Sequence, residues 1–372
     1  MDALAKLQAL SDASQYDLSC ACGTRQGADH RKRGGDGTWL YPVSLPRGGT
    51  SIMLKTLMSS VCVNDCRYCP YRDSRDVPRH TISPDELVSL FLEYVRRNQV
   101  IGLFLSSGVV GTPDRTMTLL TDTARILRER HHYRGYVHLK IIPGASDAAI
   151  DEALRLASGV SINIETPGEH HFSRLSERKD YLRDIIRPMQ RIGILTGKEG
   201  PYSRVRQTTQ FIVGAGDETD AEIVRYAGGL YKKLGMGRIY FSAYQRGLGD
   251  RSIPGERAEG GANLLMREHR LYQVDFLMRQ YRFTEEDFTF DAGGALPLDT
   301  DPKTVWAQSH PGYFPVDVNR AGKYELLRVP GIGPRSVTKI LAMRKGGSRI
   351  RSIGDLPMKG VWLERAKAYV AV

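Results

Sequence analysis

From residue 52 to residue 281 the chain alternates short apolar runs with longer amphipathic ones, and this rhythm limits its folds more than any other feature. The apolar runs are Ile52–Met58, Ile101–Leu105, Tyr136–Ile142, Val160–Ile164, Thr208–Val213 and Arg238–Ser242. Between and after them, helical patterns cover the stretch opened by Ser83-Pro84-Asp85-Glu86, then 116–130, 146–157, 172–191, 219–234 and 262–281. Ser83 is placed as an N-cap, with Pro84 at the first helical position and Glu86 at the third. Strands separated by helices of this length predict parallel βαβ units. A partial (β/α) barrel and an open doubly wound sheet would both write this pattern, so periodicity alone does not choose between them.

Chemistry concentrates just after the first strand. Of five cysteines, Cys62, Cys66 and Cys69 fall in Val61-Cys62-Val63-Asn64-Asp65-Cys66-Arg67-Tyr68-Cys69-Pro70, a C-x3-C-x2-C pattern. Cys20 and Cys22 stand apart near the start. An odd count does not suit a disulfide framework. Clustered thiolates suit zinc or an iron–sulfur cluster. Zinc would need a fourth ligand, for which His80 or His30 is available. A cubane 4Fe–4S cluster held by three thiolates would leave one iron open to a ligand from outside the protein.

This spacing, with Tyr68 just before the third cysteine, resembles the signature of the radical S-adenosylmethionine (SAM) superfamily. The resemblance implies a partial (β/α)6 barrel, a 4Fe–4S cluster on Cys62, Cys66 and Cys69, and SAM chelating the open iron. It also implies reductive cleavage of SAM to methionine and a 5′-deoxyadenosyl radical. Further cofactor contacts are expected at the C-terminal ends of the strands. Ser106-Ser107-Gly108 stands where the superfamily carries Gly-Gly-Glu, so Ser107 and Gly108 replace its acidic contact to the methionine amine. Ser161, Asn163 and Glu165 alternate along the fourth strand and are expected to share one face toward the SAM ribose and carboxylate. Gly214 and Gly216, in a segment ending G-x-x-x-E, correspond to the adenine-binding turn. Asp217 or Thr219 is available to cap the following helix. Tyr68 completes the cofactor set.

The end of the chain has a different character. Residues 316–372 hold 12 Lys/Arg and 4 Asp/Glu, most of the net +11 of the whole chain. Within them, Val329-Pro330-Gly331-Ile332-Gly333-Pro334-Arg335 matches a helix-hairpin-helix motif. Gly331 and Gly333 form the turn, and the N-terminus of the second helix, aided by Arg335 and Lys339, is expected to bind DNA phosphates without reading bases. The alternative is an αα-hairpin used for packing.

The 372 residues therefore divide into an N-terminal extension (1–50), a barrel (51–285), a linker (286–315) and a small all-α helix-hairpin-helix domain (316–372). Nearly the whole chain resembles a DNA modification/repair radical SAM family associated with a uracil-DNA-glycosylase-like protein. Matching segments include Tyr16–Cys20, Gly102–Val109, His138–Lys140, Arg267–Gln273 and Phe314–Asn319. The partners this implies are DNA, a reducing flavodoxin or ferredoxin, and such a glycosylase-like protein. Cys20 and Cys22 are candidate hydrogen-atom or thiol donors. RNA or protein substrates, or a non-enzymatic DNA-binding scaffold with a structural metal, are the alternatives. No apolar run is long enough to span a membrane, and the first residues lack the basic and apolar regions of a signal peptide, so the cytoplasm is the expected location.

Overall fold

The computed structural model describes residues 1–14, 32–44, 49–257 and 263–372. The first unit, Met1–Glu218 with Gly229–Glu268, carries the sheet. It opens with α1 (Ala3–Ala13), β1 (Lys32–Arg33), β2 (Trp39–Ser44) and β3 (Thr50–Leu57). Then follow α2 (Pro84–Arg96), β4 (Gly102–Ser106), α3 (Pro113–Arg125), β5 (Tyr136–Lys140), α4 (Asp147–Leu156), β6 (Gly159–Ser161), α5 (Glu169–Leu175), α6 (Arg187–Thr196), β7 (Arg206–Val213), α7 (Asp220–Leu234), β8 (Arg238–Ala243), α8 (Pro254–Arg257) and α9 (Leu264–Tyr281), of which α7 up to Gly228 and α9 from His269 belong to the second unit.

The strands lie in the order β1 to β8, with β1 and β2 antiparallel and β3 to β8 all parallel. Sequential order resolves the ambiguity left by the pattern. Right-handed crossovers taken always in one direction put every helix on the same face. A doubly wound sheet would reverse direction at a switch point. The result is an α/β partial barrel.

The two faces differ in chemistry. Leu54, Leu103, Val137, Leu139, Val160 and Phe211 are buried on one of them, beneath the helices. Across the other, Lys55, Phe104 and His138 are register neighbours. The Lys55 ammonium lies 4.9 Å from the Phe104 ring centroid, and His138 stacks on the same ring at 4.3 Å. Alternation along each strand thus gives an apolar outside and a lumen with polar groups.

Ser83 caps α2 and Glu86 returns the bond, as the sequence predicts. One expectation is refined and one corrected. The stretch 172–191, expected to be mostly helix, is so, but it divides into α5, a π turn at Tyr181–Ile186 and α6, with a gap at 176–180. The fourth strand stops at Ser161 rather than Ile164. There the Thr209 hydroxyl enters the ladder, accepting from Ile164 N at 3.0 Å and donating to Ile162 O at 2.8 Å. Backbone pairing resumes only at Glu165, whose φ is +64°.

The second unit, Thr219–Gly228 with His269–Val372, contains α10 (Pro302–Ser309), β9 (Val316–Asp317), α11 (Lys323–Arg328), α12 (Pro334–Lys345), α13 (Val361–Lys367) and β10 (Val370–Ala371). It is helical but not all-α, because β9 and β10 pair in parallel. Residues 286–315 are not a bare connection. Trp306, on α10, is 4% exposed and lies against Phe283, His310, Tyr313 and Phe314. Arg328 covers the Trp306 ring at 4.4 Å and forms an ion pair with Asp287 at 2.6 Å. An aromatic core of this kind holds the stretch in place.

Lys303 is buried in the same unit, where its Nζ donates to Ile332 O at 2.6 Å. Burial lowers its pKa to about 7. An unfolded lysine titrates near 10.4. Between those values the unfolded chain holds a proton that the folded one has released, so stability rises with pH across that window. Below pH 7 the folded state carries the full cost of a buried ammonium. Lys303→Met is therefore expected to stabilise the protein by about 1–3 kcal/mol at pH 6. The gain should shrink as the pH rises to 9, in denaturant titrations read at both pH values.

Candidate metal centre

The loop leaving β3 carries Cys62, Cys66 and Cys69, all free and half-buried. It has little regular structure, so its shape rests on side chains. The Arg79 guanidinium donates to four loop carbonyls: Ser60 O and Tyr71 O at 2.7 Å, and Arg72 O and Arg75 O at 2.9 Å. Arg72 and Arg75 reach across to Leu248 O at 2.9 and 2.8 Å. Asp65, between the first two cysteines, faces the broken helix. Its carboxylate accepts from Ser176 Oγ at 2.5 Å, Glu177 N at 2.8 Å and Arg178 N at 3.2 Å. Despite partial burial, these bonds hold the Asp65 carboxyl below its ordinary range.

Beside that clamp, against the effect of burial, Cys66, Glu165 and Cys62 raise the Lys179 ammonium above its ordinary range. Neither Asp65, Lys179 nor Arg79 was singled out from the sequence. Their roles depend on contacts with segments up to 113 positions away, which leave no periodic signal.

Cys62 is fixed from the end of β4. Its sulfur accepts from Val109 N at 3.4 Å and Asn64 N at 3.5 Å. Gly108 N donates to Ser59 O at 2.7 Å. A Cβ at Gly108 would stand 2.3 Å from Val61 O and 3.1 Å from Cys62 Cβ. Only glycine permits this approach. Beside it, the Ser107 Oγ is buried with no hydrogen-bond partner. Burial and the neighbouring Cys66 raise the Cys62 thiol and push that of Cys69 up to about 12. Thiols so crowded ionise when a cationic metal group takes them.

The residues expected around the cofactor separate into layers. Tyr68 packs against the buried cluster of Leu175, Ala215, Tyr244 and Ile253. Its hydroxyl donates to Glu165 Oε1 at 2.8 Å, and burial raises its pKa. Ser161 instead pairs with His138 Nε2 at 2.9 Å. Asn163 is half-buried. The interruption at Thr209 means that Ser161, Asn163 and Glu165 do not run along one strand as expected. Left-handed backbone at Glu165, a bulky residue, is the kind of outlier that gathers at functional sites.

At the end of β7, Gly214 has φ +84° and donates from its N to Glu218 Oε1 at 2.6 Å. A Cβ on Gly216 would lie 2.6 Å from Glu218 Oε2, itself buried with no hydrogen-bond partner. Burial raises the Glu218 carboxyl. Asp217 does not cap α7, because it accepts from His171 Nδ1 at 2.9 Å and pairs with Arg174. Thr219 makes the cap instead, with Glu222.

The three free thiols on one loop suit an iron–sulfur cluster. A cubane spreads its ligands over separate irons. Orphaned buried oxygens on Ser107 and Glu218, at the ends of two strands, suit a polar ligand beside it. Cys20, Cys22 and His30 lie outside the described residues.

In the second unit, α11 and α12 flank the Gly331–Gly333 turn. Gly331 has φ +82°, and a Cβ there would stand 2.3 Å from Trp362 O on α13. Gly333 has φ −115° and directly precedes α12. Only Gly331 therefore needs glycine's freedom. Arg335 and Lys339 are exposed one turn apart on α12.

Residues 56–228 match the family model described as the Radical SAM superfamily. The chain is distantly similar to the crystal structure of methylornithine synthase, at 12% identity and a TM-score of 0.48, covering 61% of each chain. It is likewise similar to the FeFe-hydrogenase maturase HydG from Carboxydothermus hydrogenoformans, at 15% identity and a TM-score of 0.47, covering 60% of this chain and 51% of that one. The chain thus spans under two thirds of either structure. No curated protein matches it in sequence.

Proposed function

Residues 56–228 match the radical SAM superfamily model, and we propose that the chain is a radical SAM enzyme that modifies or repairs DNA. Its cofactors are a 4Fe–4S cluster and SAM. Cys62, Cys66 and Cys69 would hold the cluster. When bound, the pair supplies one-electron cleavage of SAM and abstraction of hydrogen from a substrate C–H bond. The protein's own part is positioning. Gly108 and Val109 fix Cys62, Asp65 holds Ser176, Glu177 and Arg178 against the cysteine loop, and Tyr68 orients the Glu165 carboxylate. Ser107 and Glu218 offer buried oxygens to a polar ligand at the strand ends. An acidic flavodoxin or ferredoxin is the proposed electron donor, and a uracil-DNA-glycosylase-like protein a proposed partner.

The observation that carries the DNA reading is the hairpin at Gly331–Gly333, with Arg335 and Lys339 exposed beside it in a segment of 12 Lys/Arg and 4 Asp/Glu. Replacing both Arg335 and Lys339 by Ala should weaken binding of the full chain to duplex DNA at low salt about tenfold. It should also reduce the slope of log K against log salt by about 2, as loss of two phosphate contacts predicts. Filter binding across a salt series measures both. An unchanged slope removes the assignment of these two residues. Transfer of deuterium from labelled DNA into 5′-deoxyadenosine tests the substrate itself, and transfer from RNA or peptide alone would overturn the DNA reading.

No helix among the described residues is long and apolar enough to cross a membrane.

A further inference from the structure

The second unit carries an apolar tip in its most basic stretch. Val361 and Trp362, the first two residues of α13, are 58% and 53% exposed. A single exposed apolar side chain is ordinary, but two adjacent ones, one of them tryptophan, forgo a large gain from burial. The tip is tied to the hairpin turn. A Cβ on Gly331 would stand 2.3 Å from Trp362 O and 3.2 Å from Arg365 Cβ, so the backbone of α13 lies directly on that turn. Cations surround the ring. The Arg365 guanidinium lies 5.5 Å from the Trp362 ring centroid and is anchored by Asp301 at 3.6 Å. Arg349, Arg351 and Lys359 are exposed in the same stretch. Residues 349–367 hold five Lys/Arg and two Asp/Glu, and both acids are engaged locally. Asp355 accepts from Arg351 N at 3.0 Å and Ser352 N at 2.8 Å, and Glu364 pairs with Lys367.

We propose that Trp362 is a stacking site for an unpaired DNA base, so that the second unit prefers DNA with a displaced base to perfect duplex. The inference rests on the DNA reading of the Gly331–Gly333 hairpin and adds a substrate class to it. An aromatic face ringed by cations matches the chemistry of a nucleobase on its backbone: the ring takes the base, and the cations take the phosphates on either side. A base inside an intact duplex is stacked on both faces and offers neither to the ring. The occupant is therefore a base already out of the stack. Chemistry on a nucleotide within DNA needs the same departure, and a site that holds displaced bases lowers its cost.

The test is filter binding of the full chain, at one low salt concentration, to a matched duplex and to the same duplex carrying one bulged thymine. The wild type should bind the bulged duplex about tenfold more tightly, as one stacked base predicts. Trp362→Ala should bring the two affinities to within about twofold of each other, and Trp362→Phe, which keeps an aromatic face, should retain most of the preference. Tryptophan emission is read alongside. The bulged duplex should quench the wild type, and the quenching should vanish in Trp362→Phe, which leaves Trp39 and the buried Trp306 in place. Should Trp362→Ala not fold, the emission of Trp362→Phe decides alone. Equal affinity of the wild type for both duplexes, or an unchanged preference in Trp362→Ala, overturns the proposal and leaves the hairpin reading standing. A wild-type chain that binds neither duplex removes the DNA reading along with it. Sedimentation without DNA addresses another occupant: a dimer that Trp362→Ala dissociates would give the tip to a second copy of the chain and overturn the proposal.

Discussion

Cys66→Ala should give a colourless protein that forms no detectable 5′-deoxyadenosine. The wild-type chain, reconstituted without oxygen, should carry about four irons. Iron in the variant should fall at least tenfold, because two thiolates cannot hold a cluster that already leaves one iron without a protein ligand. Cys66 is the most telling of the three positions. It lies between the other two, and its proximity adds to burial in raising both of their thiols. Loss of activity should not reflect unfolding. The loop is held by Arg79, Arg72 and Arg75 through carbonyls that the substitution leaves alone. The thermal midpoint of the metal-free variant should therefore stay within a few degrees of the metal-free wild type. Iron analysis, visible absorption and a melting curve check the three parts separately. A variant that keeps wild-type iron would overturn the ligand assignment.

Gly108→Ala should be nearly as damaging, although it adds a single methyl group. The added Cβ would meet Val61 O at 2.3 Å and Val61 C at 3.0 Å, both backbone atoms of the metal loop. No flexible side chain is there to give way. Either β4 or the loop must shift, and Cys62 shifts with the loop. Overpacking of this kind costs about 1–3 kcal/mol. The larger effect should fall on the metal, with iron retention after reconstitution reduced at least fivefold. Gly229→Ala is the matched control. It lies on α7 with nothing within 4 Å of its would-be Cβ, and alanine there should be neutral or stabilising by about 0.5–1 kcal/mol. Equal iron in the two variants would show that the close approach at Gly108 does not govern the site.

These two predictions differ in how visible their residues are in sequence. Cys66 announces itself by spacing. Gly108 was expected to touch the cofactor, whereas the structure gives it a second role as the floor under Cys62. The strand order was legible up to a two-way choice, because apolar alternation reports burial but not the direction of each crossover. The Ser83 cap was legible because it is local. The early end of β6 was not, because its cause is the Thr209 hydroxyl, 45 positions downstream. Nor was the break at 176–180, where Ser176-Glu177-Arg178-Lys179-Asp180 reads equally well as the solvent face of a helix while Asp65 takes the N–H groups of Glu177 and Arg178. Residues 286–315 read as a linker from their glycines and prolines, yet Trp306 ties them to Phe283, a partner that no local pattern records. Sequence patterns thus recorded what each segment does by itself, and missed what one segment does to another.

The Arg79 staple has a consequence for how such a protein matures. A zinc finger takes its shape from its metal and unfolds without it. Here four carbonyls around one guanidinium hold the loop by bonds that involve no cysteine sulfur. Taking iron away would leave those bonds untouched, so a chelated chain is expected to accept iron and sulfide again without being refolded.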